Sequence, residues 1–171
     1  MKNKSEILFD NNFLKIKRAD GWYLFAERLG IDSVAFILYD ENKTKPFCLI
    51  NEIKPPLYER GVKRLTTAFG GSLDKNKHMD YIVKDEVEEE AGYHIADNEM
   101  DRIEYLGKVF VSTQMNQFVH LYFVNVTGLK QGNQNLEKNE DGQPVWMSKK
   151  EILNGVDWKA ITILAKKNLL C

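Results

Sequence analysis

The residues with the clearest chemical potential form one acidic run, Asp85 to Glu90, in which five of the six side chains are carboxylates. An α-helix turns by about 100° per residue, so the spacing of Glu86, Glu89 and Glu90 predicts that they share one helix face. Like charges at these spacings destabilise a helix by about 0.2–0.5 kcal/mol per pair. A hard divalent cation such as Mg²⁺ or Mn²⁺ would offset this repulsion, and a solvated charged face is the alternative interpretation.

The neighbouring residues predict the element that carries this run. Residues 78–91 read as a helix, with Asn76 or a neighbour as its N-cap and Gly92 as its end. Gly70-Gly71 precedes the helix and lets the main chain approach a ligand closely. Apolar residues on the adjoining face can seat the helix on a core: Val83, Val87 and Ala91.

The rest of the chain predicts a mixed α/β architecture. Apolar and β-branched runs predict strands at 13–17, 22–26, 34–39, 47–50, 103–111, 118–126 and 145–147. Asp20-Gly21 is typical of a hairpin turn, and residues 127–143 read as a long polar loop. Ser148 to Glu151 forms a capping box that opens a helix, and Asp157 caps the last one, in which Trp158 begins the apolar spacing.

Residues 71–93 resemble the Nudix box, a loop–helix–loop motif written G-x5-E-x7-R-E-U-x-E-E-x-G-U, where U is bulky and apolar. The strict matches are Gly71, Glu86, Val87, Glu89, Glu90 and Gly92, and Tyr93 is a tolerable match at the last position. Lys77 stands where the family has Glu, and Asp85 stands where it has Arg. The family's Arg is expected to pair with the motif's carboxylates. Because both departures reverse a charge, we predict that Lys77 and Asp85 form an ion pair of swapped polarity.

The resemblance implies a Nudix fold of the α/β class (an α+β sandwich), in which helices flank a mixed β-sheet. It divides the chain into an N-terminal extension of antiparallel strands (1–30) and a Nudix hydrolase domain (31–171). It implies Mg²⁺, with Mn²⁺ as a substitute, and the implied metal ligands are Glu86, Glu89, Glu90 and the main-chain carbonyl near Gly70. The family's activity is hydrolysis of the diphosphate linkage in a nucleoside diphosphate bonded to a group X.

The flanking residues resemble the branch that hydrolyses ADP-ribose and nucleotide sugars. The resemblance lies in residues 49–56 and 69–74, and in Ser112-Thr113-Gln114 followed by His120-Leu121-Tyr122, although the branch's Pro and Gly after the serine are missing. The branch implies a basic side chain on the distal phosphate, an aromatic ring for the nucleobase and a late acidic loop for the catalytic base. The candidates are Lys54, Arg60 and Arg64 for the phosphate, Trp22 for the nucleobase, and Glu140, Glu137 or Glu89 for the base. The branch also implies a homodimer built through the N-terminal strands.

Composition limits the partners. With 171 residues and a hydrophobic fraction of 43%, the chain is predicted to form one domain with a real core. A formal net charge of -1 argues against a general nucleic-acid binder. No apolar run approaches the roughly 20 residues needed to span a bilayer. The two cysteines, Cys48 and Cys171, predict neither a disulfide framework nor a zinc cluster, so we expect a cytoplasmic protein without a membrane partner.

Two further functions remain open from the sequence. One keeps the chemistry and changes the substrate to a nucleoside triphosphate or a capped RNA end. The other is a Nudix-fold nucleotide-binding module with weakened catalysis, which is motivated by the departures at Lys77 and Asp85.

Overall fold

The computed structural model describes residues 5–28, 32–73, 76–136, 138, 141–155 and 157–170. The strands in these ranges are β1 (Glu6–Asp10), β2 (Leu14–Ala19), β3 (Tyr23–Arg28), β4 (Ser33–Tyr39), β5 (Phe47–Ile53), β6 (Arg64–Thr67), β7 (Phe69–Ser72), β8 (Ile103–Ser112), β9 (Met115–Asn125) and β10 (Gln143–Met147). The α-helices are α1 (Met79–Ala91), α2 (Lys149–Leu153) and α3 (Trp158–Lys166), and two 3₁₀ segments span Pro55–Arg60 and Asp97–Arg102. None of the described helices combines the length and the apolar character needed to cross a membrane.

One mixed sheet joins the strands in the order β1-β2-β3-β9-β4-β5-β10, with β6 on β5, β7 on β4 and β8 on β9. Strand β4 runs parallel to β9, from Ser33 opposite Val119 to Tyr39 opposite Asn125, and antiparallel to β5 and β7. The N-terminal strands form an antiparallel ribbon whose last strand meets β9 at Ala26. The mixed sheet and the N-terminal antiparallel strands therefore match the predicted architecture.

Strand β4 is buried on both faces, which defines two helical layers. Val34, Phe36 and Leu38 pack in the cluster that contains the apolar face of α1. Ala35 and Ile37 point the opposite way, as alternate strand residues must, and pack in the cluster that contains α3. The sheet therefore lies between α1 and the pair α2 and α3, which is a three-layer sandwich.

Most predicted elements occur where the sequence places them. Helix α1 begins after His78, whose side chain accepts a hydrogen bond from the Asp80 amide at 3.4 Å, and ends at Gly92, which has a φ of 73°. The Ser148 capping box and the Asp157 cap are both present. Strands β1, β6 and β7 were not predicted. The β7 segment contains Gly70-Gly71, a pair that is typical of turns, yet it forms a ladder with β4.

The two positions that depart from the box pair with each other. Lys77 Nζ lies 2.6 Å from Asp85 Oδ2, which confirms the predicted ion pair. Lys84, the sequence neighbour of Asp85, instead forms a salt bridge with Asp97, which holds the pKa of Asp97 below its usual range. The Lys77 and Asp85 side chains are 51% and 28% exposed, so the pair contributes about 0.2–1 kcal/mol. The pair connects Lys77, which precedes α1, to Asp85 in the middle of the helix.

Reversing one member of this pair should destabilise the fold. Lys77→Glu removes the attraction and adds repulsion, so the free energy of unfolding should fall by about 1 kcal/mol. Lys77→Gln, which removes only the attraction, should cost less. The double variant Lys77→Glu with Asp85→Arg should recover most of the loss in urea denaturation. A double variant no more stable than Lys77→Glu alone would contradict a stabilising role for the pair.

Candidate active site

A cavity of about 500 Å³ opens where β4 and β7 meet α1 and the first turn of α3. Small-molecule sites typically enclose about 300–1,000 Å³. Five of the residues predicted for the site line this cavity: Lys54, Gly70, Glu86, Glu89 and Glu90. The fold therefore brings the acidic helix face, the glycine pair and one predicted phosphate-binding base to a single place.

Strand β7 lies so close to α1 that a side chain on Gly71 would displace the Glu86 side chain. A Cβ at this position would lie 2.8 Å from both Cγ and Cδ of Glu86, closer than real Cβ contacts allow. Pairing with β4 holds β7 in place, with Gly71 opposite Val34 and Gly70 opposite Ala35. Glycine at the start of the box is therefore explained by this close approach.

The three glutamates share one face of α1, as their spacing predicts. Glu90 is buried, with 8% of its surface exposed, and Glu86 and Glu89 are half-buried. Glu88 is exposed on another face, where its carboxylate lies 3.1 Å from His94 Nδ1. The helix therefore presents three of its four glutamates to the cavity.

The donor atoms of this face suit a hard divalent cation. Carboxylate oxygens and a main-chain carbonyl such as that of Gly70 are the ligands that Mg²⁺ and Mn²⁺ prefer. Among the described residues, no group of three or more His, Cys, Asp or Glu side chains is gathered in an arrangement that could hold a metal ion. The donor types fit such an ion and the three glutamates line the same cavity, but rotation of the long glutamate side chains would have to bring their oxygens together to hold one.

Basic side chains share the cavity with these carboxylates. Lys54 forms a salt bridge with Glu52, which also lines the cavity. Lys159 Nζ lies 3.5 Å from Asp157 Oδ1. Arg28 lines the cavity, and within the described ranges its guanidinium takes part in no ion pair. The basic side chains of the cavity suit the phosphates of a ligand. The carboxylates suit a cation that accompanies those phosphates.

The polar segment after β9 is fastened to the end of α1. The side chains of Gln134 and Gln131 donate to the carbonyls of Glu90 and Ala91 at 2.6 and 3.0 Å, and the Asn135 amide donates to the Glu89 carbonyl at 2.9 Å. These bonds satisfy carbonyls that the last helical turn leaves without intrahelical partners. The described segment 131–135 is therefore held against the end of α1, beside the cavity-lining Glu89 and Glu90.

Asp141, a described residue shortly before β10, is bonded to β5 and β6. Asp141 Oδ1 accepts a hydrogen bond from the Ile53 amide at 3.1 Å, and its other oxygen is salt-bridged to Arg64. The Ile53 amide and the Arg64 guanidinium hold the pKa of Asp141 below its usual range. Arg64 also donates to the Asn51 side chain and main chain, each at 2.8 Å.

The other predicted site residues that the structure describes, Arg60, Arg64 and Trp22, do not line the cavity. Arg64 is engaged with Asp141, and Arg60 is exposed in the last turn of a 3₁₀ segment. Trp22 is 75% exposed and packs edge-on against Tyr23, with ring centroids 5.3 Å apart. Glu137 and Glu140, two of the predicted bases, lie outside the described residues.

Comparison with known proteins supports the fold. A crystal structure titled ADP compounds hydrolase matches this chain with a TM-score of 0.70, covering 96% of this chain and 90% of that one at 12% sequence identity. The predicted Nudix fold is confirmed. No protein-family model matches the sequence, and comparison with curated proteins finds no relative. At this low identity the likeness shows the fold alone, and function has to be argued from the site.

Several cavity residues were not predicted from the sequence: Arg28, Glu52, Gln117, Trp158 and Lys159. They come from strands and a helix far apart in the chain, so no local spacing connects them. Trp158 was interpreted as the first residue of an apolar helix face. It is instead 40% exposed, while Ala160, Ile163 and Leu164 are buried. Trp158 directly follows the Asp157 cap, and the first turn of a helix often lies at the edge of a core. This position was the available signal that the Trp158 ring is partly exposed.

Adding a methyl group at Gly71 should disturb the site more than the fold. The new Cβ of Gly71→Ala would displace the Glu86 carboxylate, and binding of Mn²⁺ should weaken by about 10-fold or more. Calorimetric titration with Mn²⁺ measures this, and thermal unfolding checks the fold. Gly132→Ala is the matched control, because a Cβ there would meet its nearest atom at an ordinary 3.5 Å. Equal Mn²⁺ affinity in the two variants would contradict a ligand role for Glu86.

Proposed function

We propose that this chain is a hydrolase that uses a divalent cation, Mg²⁺ or Mn²⁺, to cleave the diphosphate linkage of a nucleoside diphosphate bonded to a group X, with ADP-ribose or a nucleotide sugar as the substrate class. One observation carries the proposal: Glu86, Glu89 and Glu90 line one cavity together with Gly70, Gly71 and several bases. The similar crystal structure is that of an ADP compounds hydrolase, which supports a nucleoside diphosphate as the shared part of the substrate.

The charges of the cavity explain why a cation is needed. The lining contains four carboxylates, of Glu52, Glu86, Glu89 and Glu90, against three basic side chains, of Arg28, Lys54 and Lys159. A diphosphate would be repelled by this excess of negative charge. When bound, the cation neutralises charge and polarises the phosphorus that is attacked. The glutamates hold the cation, and the three bases bind the phosphate oxygens.

Hydrolysis at this site consumes one water. The water oxygen forms a bond to one phosphorus, the bond from that phosphorus to the bridging oxygen breaks, and two monophosphates leave. A carboxylate accepts the proton of the attacking water. Glu89 is the described candidate for this base because it lines the cavity. Glu140 and Glu137 are the other candidates, because the described segment that precedes them is bonded through Asn135 to the Glu89 carbonyl.

The two other candidate functions are distinguished from this one in different ways. A nucleoside triphosphate or a capped RNA end would use the same glutamates, so only turnover of the alternative substrates separates them. The weakened binding module was suggested by Lys77 and Asp85. Because these two side chains form an ion pair, the reversed charges leave the helix intact and give no structural reason for lost catalysis.

Neutralising a cavity glutamate should abolish most of the turnover. Glu90→Gln keeps the shape of the side chain and removes its charge, so the hydrolysis rate in Mg²⁺ should fall by about 100-fold or more. Glu88→Gln is the matched control on the same helix, outside the cavity. Released monophosphates are measured over a panel of ADP-ribose, nucleotide sugars, nucleoside triphosphates and capped RNA. Unchanged rates for Glu90→Gln would rule out its role, and no turnover of any panel member would favour the binding module.

The same assay identifies the base. Replacing the true base by Gln should lower the rate. It should also remove the decline in rate at low pH that protonation of the base causes in the unaltered chain. Variants of the other two candidates should keep that decline. The comparison includes Glu89→Gln, Glu137→Gln and Glu140→Gln.

The N-terminal ribbon is proposed to join two copies of the chain as a homodimer. Every residue of β1 is exposed, and among the described strands β1 pairs with β2 alone, so its other edge faces no described strand. Open strand edges readily pair with another chain. Ile7, Phe9 and Leu24 add apolar side chains that are 53%, 51% and 51% exposed. A second copy carrying the same strand complements both features.

Polar substitutions on the ribbon should separate such a dimer. Phe9→Ser with Leu24→Ser should convert a dimeric mass to a monomeric one in sedimentation equilibrium at micromolar concentration. Leu170→Ser, at a residue 41% exposed outside the ribbon, should leave the mass unchanged. A monomeric mass for the unaltered chain would refute the dimer.

A further inference from the structure

The first residue of α3 brings an indole ring to the cavity. Two of the described lining residues are aromatic, Phe69 and Trp158. Phe69 is fully buried and stacks on Phe36, with centroids 5.2 Å apart and planes 10° from parallel, so neither face of its ring is offered to a ligand. Trp158 is 40% exposed, and in the described part of the chain it makes no ring–ring contact. It is therefore the lining ring with surface available for stacking.

A buried carboxylate fixes the start of the helix that carries this ring. Asp157 is 7% exposed, and its Oδ1 accepts a hydrogen bond from the Lys159 amide at 3.2 Å, which caps α3. Its Oδ2 accepts a hydrogen bond from the Ala68 amide at 2.6 Å. Ala68 lies between β6 and β7, immediately before Phe69-Gly70-Gly71. The start of α3, which carries Trp158, is thus bonded to the residue that leads into the strand with the glycine pair.

The surroundings of Trp158 indicate what it binds. Lys159 beside it supplies a positive charge, and the carboxylates of α1 line the same cavity. A ligand that matches this arrangement has a flat aromatic group bonded to a phosphate-containing chain. Nucleobases stack on aromatic side chains because each has an apolar face.

We propose that Trp158 is the stacking surface for the nucleobase and that Asp157 is a positioning residue that holds it beside the box. The inference rests on the proposed function for the identity of the diphosphate, and it assigns which end of the substrate lies towards α3. Trp22, the ring that sequence resemblance indicates, lies outside the cavity of the single chain.

Binding of AMP tests this assignment without any cleavage. AMP carries the base and one phosphate, and ribose 5-phosphate carries no base, so the pair isolates stacking. In calorimetric titrations with Mg²⁺, Trp158→Ala should bind AMP about 10-fold or more weakly and bind ribose 5-phosphate unchanged. Trp158→Phe should retain most of the AMP affinity. Trp22→Ala is the matched control and should bind both ligands like the unaltered chain.

The outcomes separate this inference from the proposed function. Equal AMP affinity in Trp158→Ala and the unaltered chain, a loss confined to Trp22→Ala, or an unaltered chain that binds no AMP would each overturn the stacking role. A selective loss in Trp158→Ala would support it even if no nucleoside diphosphate derivative is cleaved, in which case the hydrolase proposal alone fails. With ADP-ribose as substrate, the expected kinetic signature is a raised KM and a nearly unchanged kcat.

Discussion

The close contact between α1 and β7 is the constraint on which the site depends. Because Gly71 has no side chain, the main chain of β7 reaches the Glu86 side chain itself. The same strand is fixed on one side by its ladder with β4 and at its start by the bond from the Ala68 amide to Asp157. The wall that β7 forms is therefore positioned by its strand ladder and by the Asp157 side chain.

Packing also outweighs the electrostatic cost of the acidic helix. Ile82, Val83 and Val87 are almost completely buried, and burying such side chains stabilises by about 1.5–3 kcal/mol each. Repulsion between neighbouring glutamates costs about 0.2–0.5 kcal/mol per pair. The fold can thus maintain three carboxylates on one face before any ligand arrives. The loop bonds from Gln131, Gln134 and Asn135 add to this by satisfying the carbonyls at the end of the helix.

The sequence was sufficient for the parts of the structure that local patterns determine. Helix α1, the Ser148 and Asp157 caps and most strands follow from periodicity and capping residues. The paired Lys77 and Asp85 followed from two reversed charges at fixed spacing. Strand β7 was not predicted because its two glycines are typical of a turn. The segment is a strand because it pairs with β4. Arg28, Trp158 and Lys159 were missed for a similar reason, because the chain's topology brings them to the cavity. Arg64 was proposed for a phosphate because its residue type fits, and only the structure shows it engaged with Asp141.

The swapped ion pair has an evolutionary consequence. Lys77 and Asp85 lie eight positions apart, and each is favourable only because of the other. A lineage that changed one of them alone would pass through a form with two like charges in contact. The two positions should therefore covary, so that relatives have Lys with Asp or Glu with Arg and seldom a mixture. A sequence motif that allows either Lys with Asp or Glu with Arg at these two positions would match both kinds of chain. A motif that requires one residue type at each position would match only one kind.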